Sequence, residues 1–231
     1  GLYKAGDAGG RITGGSGYLE IVAPTWTNIA SGNWSVGGNW RDGVAPNAGG
    51  RGSYRIAYDT TPYPGISTNN LGSDFLLNRL EFGSSHAALA VTGNSLAFTN
   101  HGTALPQLNQ NGANSVTLQL DITLRSALTF GGTGTGIMTN TGAISGKFGV
   151  TKNSSCITVL TGANVYTGAT TIVGGTLRTT TKDSLPTNTT VFLPSTVAGT
   201  LDLAFIGTNL VQGLVINGFT LPEGIYGAGT G

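Results

Sequence analysis

From position 116 to position 130 the even-numbered residues are apolar with one exception: Val116, Leu118, Leu120, Ile122, Leu124, Leu128 and Phe130, broken only by Ser126. Between them stand Thr117, Gln119, Asp121, Thr123 and Arg125. A period of two puts every apolar residue on one side of extended chain and cannot form one face of a helix. Fifteen residues exceed the usual length of a strand, so a bend near Ser126 that separates two strands is expected. Shorter runs repeat the pattern at Tyr54/Ile56/Tyr58, Leu89/Val91, Leu96/Phe98, Ile157/Val159 and Leu201/Leu203/Phe205. Only residues 75–82 hold side chains able to wind, and Gly72 and Gly83 limit them to about two helical turns; a strand ending in Leu80 and Phe82 reads equally well. The chain is all-β.

Gly- or Asn-containing corners follow these runs every 8 to 12 residues, which suits an antiparallel sandwich or barrel, or a parallel solenoid. Asn-Gly pairs, the strongest hairpin signal, occur only at Asn111-Gly112 and Asn217-Gly218. Corners that turn the chain without reversing it lean towards the solenoid. Composition agrees with many such corners: 39 Gly, 34 Thr and 18 Asn make up 91 of 231 residues, while 9% are charged. Thr favours pleated surfaces, and Gly and Asn supply left-handed corners. Hydrophobic content of 39% and a net charge of +1 separate the chain from disordered sequences.

The same numbers bound function. A charge of +1 with basic residues scattered singly offers no nucleic-acid face and no polybasic membrane patch. No apolar run approaches the roughly 20 residues of a spanning helix. Cys156 is the one cysteine, without an internal disulfide partner, and reads as a buried thiol. The histidines, His86 and His101, lie far upstream of it and suggest no thiol–base pair. The ten carboxylates stand almost singly along the sequence. Only folding could bring two of them, such as Asp121 and Asp202, to the separation that glycosidase chemistry needs. Gly6-Asp7-Ala8-Gly9-Gly10 lacks the recurrence of a calcium-binding solenoid and reads as a flexible segment. No catalytic, cofactor-binding or metal-ligating residue is assigned.

Residues 142–177 carry the most specific signal. Ala143-Ile144-Ser145-Gly146, Thr151-Lys152, Leu160-Thr161-Gly162-Ala163-Asn164, Tyr166-Thr167-Gly168, Thr170-Thr171-Ile172 and Gly174-Gly175-Thr176-Leu177 keep a fixed spacing. This segment resembles the autotransporter-associated β-strand repeat of secreted bacterial proteins. It departs from that pattern at Asn153-Ser154-Ser155, in place of a glycine-rich corner, and at Ala169. Leu221-Pro222-Glu223-Gly224-Ile225-Tyr226 is similar to the family's closing element, and Gly32-Asn33-Trp34 through Trp40 to its tryptophan-rich opening.

The resemblance implies a right-handed parallel β-helix, with residues 1–83 as a Trp-rich capping region and 84–231 as the repeat region. It also implies an extracellular or cell-surface structural protein, a matrix or fibre subunit able to self-associate, and not an enzyme. Trp26, Trp34 and Trp40 admit two readings, a cap over the first coil or a platform for surface glycans; the cap is favoured because a solenoid must shield its end. A glycan-binding adhesin is the alternative function, and a polysaccharide-degrading enzyme a third.

Overall fold

The computed structural model describes residues 2–4, 18–20, 23–59, 65–194 and 199–227. The Gly6/Asp7 segment and the glycines after Gly227 lie outside them. Leu2–Lys4 pairs antiparallel with Tyr18–Glu20. Elsewhere the chain winds into a parallel β-solenoid with three walls and almost no helix.

The first wall stacks Arg55–Tyr58, Arg79–Phe82, Gln107–Gln110 and Leu128–Gly131, then the opening residues of Val150–Leu160 and of Thr170–Thr179, then Thr190–Leu193 and Gly213–Ile216. Its inward row runs Ile56, Leu80, Leu108, Phe130, Lys152, Ile172, with successive members 20 to 28 residues apart. On the second wall Gly32–Asn33 pairs with Gly65–Asn69, and from there seven coils stay in register at Gly65, Leu89, Val116, Met138, Thr158, Leu177 and Leu201. The third stacks Phe75–Leu77, Leu96–Phe98, Ile122–Leu124 and Ile144–Gly146. It continues through Val165, whose N–H donates to Ile144 O, and Thr167, whose N–H donates to Gly146 O. These ladders cross residue 83 without a break.

Period-two alternation fills this interior. Val91, Leu118 and Leu160 occupy one inward row of the second wall and are fully buried. Each such burial is worth roughly 1.5–3 kcal/mol, but only because a coil above and a coil below exclude water. The 116–130 run is three strands, not two: Val116–Gln119, Ile122–Leu124 and Leu128–Gly131 lie on different walls. Besides the bend at Ser126 there is a corner at Leu120-Asp121, and Leu120 still points inward. Residues 75–82 are likewise two strands, Phe75–Leu77 and Arg79–Phe82, turning at Asn78.

Two devices hold the corners together. At Gly142 and Gly162 a Cβ would strike the carbonyl of the coil beneath, Leu120 O and Gly142 O respectively, so neighbouring corners stack at backbone contact. Buried amides then clip coils to one another. Asn164 accepts from Ile144 N–H on one side at 2.8 Å and donates to Ser184 O on the other at 2.6 Å. Asn78 donates to Thr99 O and Ala104 O in the following coil. Tyr166 is fully buried beside this corner; its hydroxyl bonds Thr170 Oγ1 at 2.7 Å, and burial pushes its pKa up to about 12.

Candidate functional site

A solenoid has two ends, and in this molecule they are built differently. At the N-terminal end residues 23–51 meet all three walls. Trp26 N–H donates to Ala57 O on the first, Trp34 N–H to Thr68 O on the second, and Arg51 N–H to Leu76 O on the third. Above that edge the three indoles interlock edge to face. Trp40 lies 5.3 Å from Trp26 and 5.8 Å from Trp34, and Trp34 packs 5.1 Å from Phe75. Two of their N–H groups are satisfied inside: Trp34 Nε1 donates to Ser67 Oγ and Trp40 Nε1 to Trp34 O, both at 2.8 Å. Tyr58 completes the cluster, its hydroxyl 2.9 Å from Ser67 Oγ, and burial raises its pKa. All three indoles are at most 2% exposed, so no ring face is open to stack on a sugar.

At the C-terminal end the inward rows run out into solvent. The row that buries Val91, Leu118, Leu160 and Thr179 ends on Leu203, which is 41% exposed. Leu201 ends the parallel row only partly covered. Beyond them Ile206, Leu210, Phe219 and Ile225 are largely bare. The first wall receives a partial cover where Phe219–Thr220 folds back antiparallel on Gly213–Ile216. On the second wall Thr200–Leu203 pairs with Thr176–Thr179 alone among the described residues, leaving its outer backbone edge open.

This end also lacks the usual guards of a free edge, namely lysine or inward-pointing charge. Between residues 199 and 227 the only charged side chains are Asp202 and Glu223, and Asp202 is engaged by Arg178 at 2.6 Å. A neutral, apolar surface beside an unpaired strand edge can accept a further β-layer through main-chain hydrogen bonds.

The residues weighed as chemical candidates are dispersed. Asp121 accepts from Ala143 N–H at a corner, and Asp202 lies four coils further along. At one strand spacing per coil that is roughly 19 Å, beyond any paired-carboxylate mechanism. Carboxylates instead meet arginines: Glu81 bonds Arg55 of the preceding coil and Arg79 of its own strand, and Asp74 lies 3.6 Å from Arg125, two coils on. His86 is buried between Ala87 O at 2.7 Å and Gln110 Oε1 at 2.9 Å, while His101 sits in an exposed turn. Cys156 is buried. Among the described residues no three His, Cys, Asp or Glu side chains converge as a metal site, and no helix is long and apolar enough to cross a membrane.

The open end is what the sequence left unassigned. Its signal was the apolar alternation at Leu201/Leu203/Phe205, which continues an inward row. No family model matches the chain, and neither do any curated proteins or solved structures.

Proposed function

We propose that this chain is an extracellular structural element, a rigid surface or matrix unit that associates through its C-terminal end. The observation that carries this reading is the inward row ending on exposed Leu203 beside the open edge of Thr200–Leu203. The resemblance of residues 142–177 to a repeat of secreted surface proteins supports the extracellular setting.

The occupant of the end is a second copy of the chain. Among the described residues the N-terminal coil is bonded on all three walls, so the open strand edge that two copies can share is at their C-terminal ends. They meet tail to tail about a two-fold axis, and the assembly closes as a dimer rather than growing as a fibre. Sedimentation velocity across a concentration series tests this. A monomer–dimer equilibrium is expected, and Leu203→Lys with Leu210→Lys shifts it to monomer while the melting temperature stays within a few degrees. A single monomeric species at every concentration overturns the reading, and open-ended polymers overturn the two-fold arrangement.

A further inference from the structure

Asn-Gly occurs twice in the chain, at Asn111-Gly112 and Asn217-Gly218, and the fold holds the two pairs in opposite ways. The pair carries an intrinsic chemistry. A glycine nitrogen, with no neighbouring side chain to shield it, can attack the side-chain amide of the asparagine before it. The reaction needs the asparagine to swing about its Cα–C bond until nitrogen and amide carbon meet.

The first pair is locked inside the stack. Asn111 N–H donates to Phe82 O of the preceding coil at 2.8 Å, and its Oδ1 accepts from Thr133 N–H at 3.1 Å. Gly112 is buried; its N–H donates to Gln110 Oε1 at 3.1 Å, and its carbonyl accepts from Gly136 N–H of the next coil. A Cβ placed on Gly112 would strike the His86 ring and Gly83 O, so this backbone has no room to turn.

The second pair is the tip of the hairpin between Gly213–Ile216 and Phe219–Thr220. Asn217 at φ 56° and Gly218 at φ 82° supply the left-handed turn that a two-residue hairpin requires. Both are exposed, and a Cβ on Gly218 would meet nothing within 4 Å. Among the described residues nothing bonds the Asn217 side chain or the Gly218 N–H. The returning strand is two residues long, lies at the edge of the first wall, and leaves Phe219 74% exposed. Such a terminal hairpin opens without unfolding the rest of the molecule.

We propose that Asn217-Gly218 is a site of spontaneous backbone modification, at which the chain deamidates and isomerises itself. As the turn opens, Gly218 N bonds to Asn217 Cγ, and the amide nitrogen leaves as ammonia with the glycine's proton. Water then opens the cyclic imide at either carbonyl. Opening at Cγ gives aspartate in an unaltered chain. Opening at the main-chain carbonyl gives isoaspartate, in which the chain runs on through Cβ and Cγ. Either product places a new carboxylate on an end whose charged side chains are Asp202 and Glu223. The isoaspartate also lengthens the main chain, so the tight turn no longer closes and Phe219–Thr220 comes off the first wall. The reaction is intramolecular and proceeds whether or not copies associate.

Incubation of the purified chain in neutral and mildly alkaline buffers, followed by peptide mapping, tests the proposal. A gain of about 1 Da at Asn217, split between aspartate and isoaspartate, is expected together with release of ammonia. It should run at least about tenfold faster than conversion at Asn111, a margin set by local opening of the end against the buried coil. The rate should rise with pH, as the glycine N–H gives up its proton more readily. In urea the two pairs should converge. Isoaspartyl chains separated by chromatography should exchange the Phe219 and Leu221 amides faster than fresh chains, with Val116–Gln119 unchanged. No conversion, equal conversion at both pairs in the folded chain, a preference for Asn217 undiminished in urea, or isoaspartyl chains that keep the hairpin's protection each overturns the assignment.

Discussion

The two ends of this solenoid are made from the same kind of coil and differ in what lies on top. Residues 23–59 carry three tryptophans and five charged residues, Arg41, Asp42, Arg51, Arg55 and Asp59. The rings go inside and the charges stay largely at the surface, so this end has a finished interior, although Ile29, Val36 and Val44 remain exposed on its outside. Residues 199–227 carry no tryptophan and two charges, and their inward rows stop on Leu201 and Leu203, which the described residues cover only in part. Coil-to-coil burial is a nearest-neighbour property, so the first end should be among the most stable parts of the molecule and the second among the least.

The largest test of that difference is Trp34→Ala. Removing a fully buried indole together with its bond to Ser67 should cost about 4 kcal/mol in denaturant melts. A loss below about 1 kcal/mol would mean that the cap contributes little to the fold, and the contrast between the ends would fail.

A matched pair of asparagines sharpens the comparison. Asn164 and Asn209 each bond the backbone of a neighbouring coil, Asn164 in the buried middle and Asn209 at the open end, where it bonds Leu185 N–H and Leu185 O. Asn164→Ala strands a buried donor and a buried acceptor and should cost about 3 kcal/mol. Asn209→Ala, where water can substitute, should cost less than about 1 kcal/mol. Equal losses would show that the two ends melt as one unit.

The smallest effect concerns pH. Burial holds the folded pKa of Lys152 below its unfolded value, so the unfolded chain binds the proton more tightly. Stability therefore rises as pH climbs from the folded value to the ordinary lysine value, and this contribution is lost as pH falls. Lys152→Met should abolish that slope at a cost of about 1 kcal/mol, since Ser154 O and Gly174 O lose a donor while the desolvation of the amine is relieved. Followed by hydrogen exchange, the slope should appear in amides around Val150–Leu160 and be absent from residues 199–227, which open independently.

Much of this architecture was legible because inward and outward positions keep their parity around a corner. The even residues from Val116 to Phe130 stayed buried across three walls, and the parity gave the core correctly while hiding one of the two bends. The tryptophan cap was legible for a different reason: three large rings within fifteen residues need a common interior. The open end was harder to see, since an apolar row looks the same in sequence whether or not a coil follows. The Lys152–Ser154 contact was hidden by its neighbours. In a strand of Val150-Thr151-Lys152-Asn153 a lysine reads as an outward side chain, and only the ladder placed it between Phe130 and Ile172.

The glycine at position 175 shows what the wall permits. From Lys152 to Thr158 the chain takes six steps round its corner and alternation never breaks; from Ile172 to Leu177, one coil on, it takes five. The odd count is absorbed at Gly175, whose φ of 61° restores the inward phase for Leu177. Lengthening or shortening a coil therefore obeys an arithmetic. An even change can slide into any alternating stretch, whereas an odd one inverts every later side chain unless a left-handed residue comes with it. Such residues act as phase correctors, and they let coils of unequal length share one continuous core.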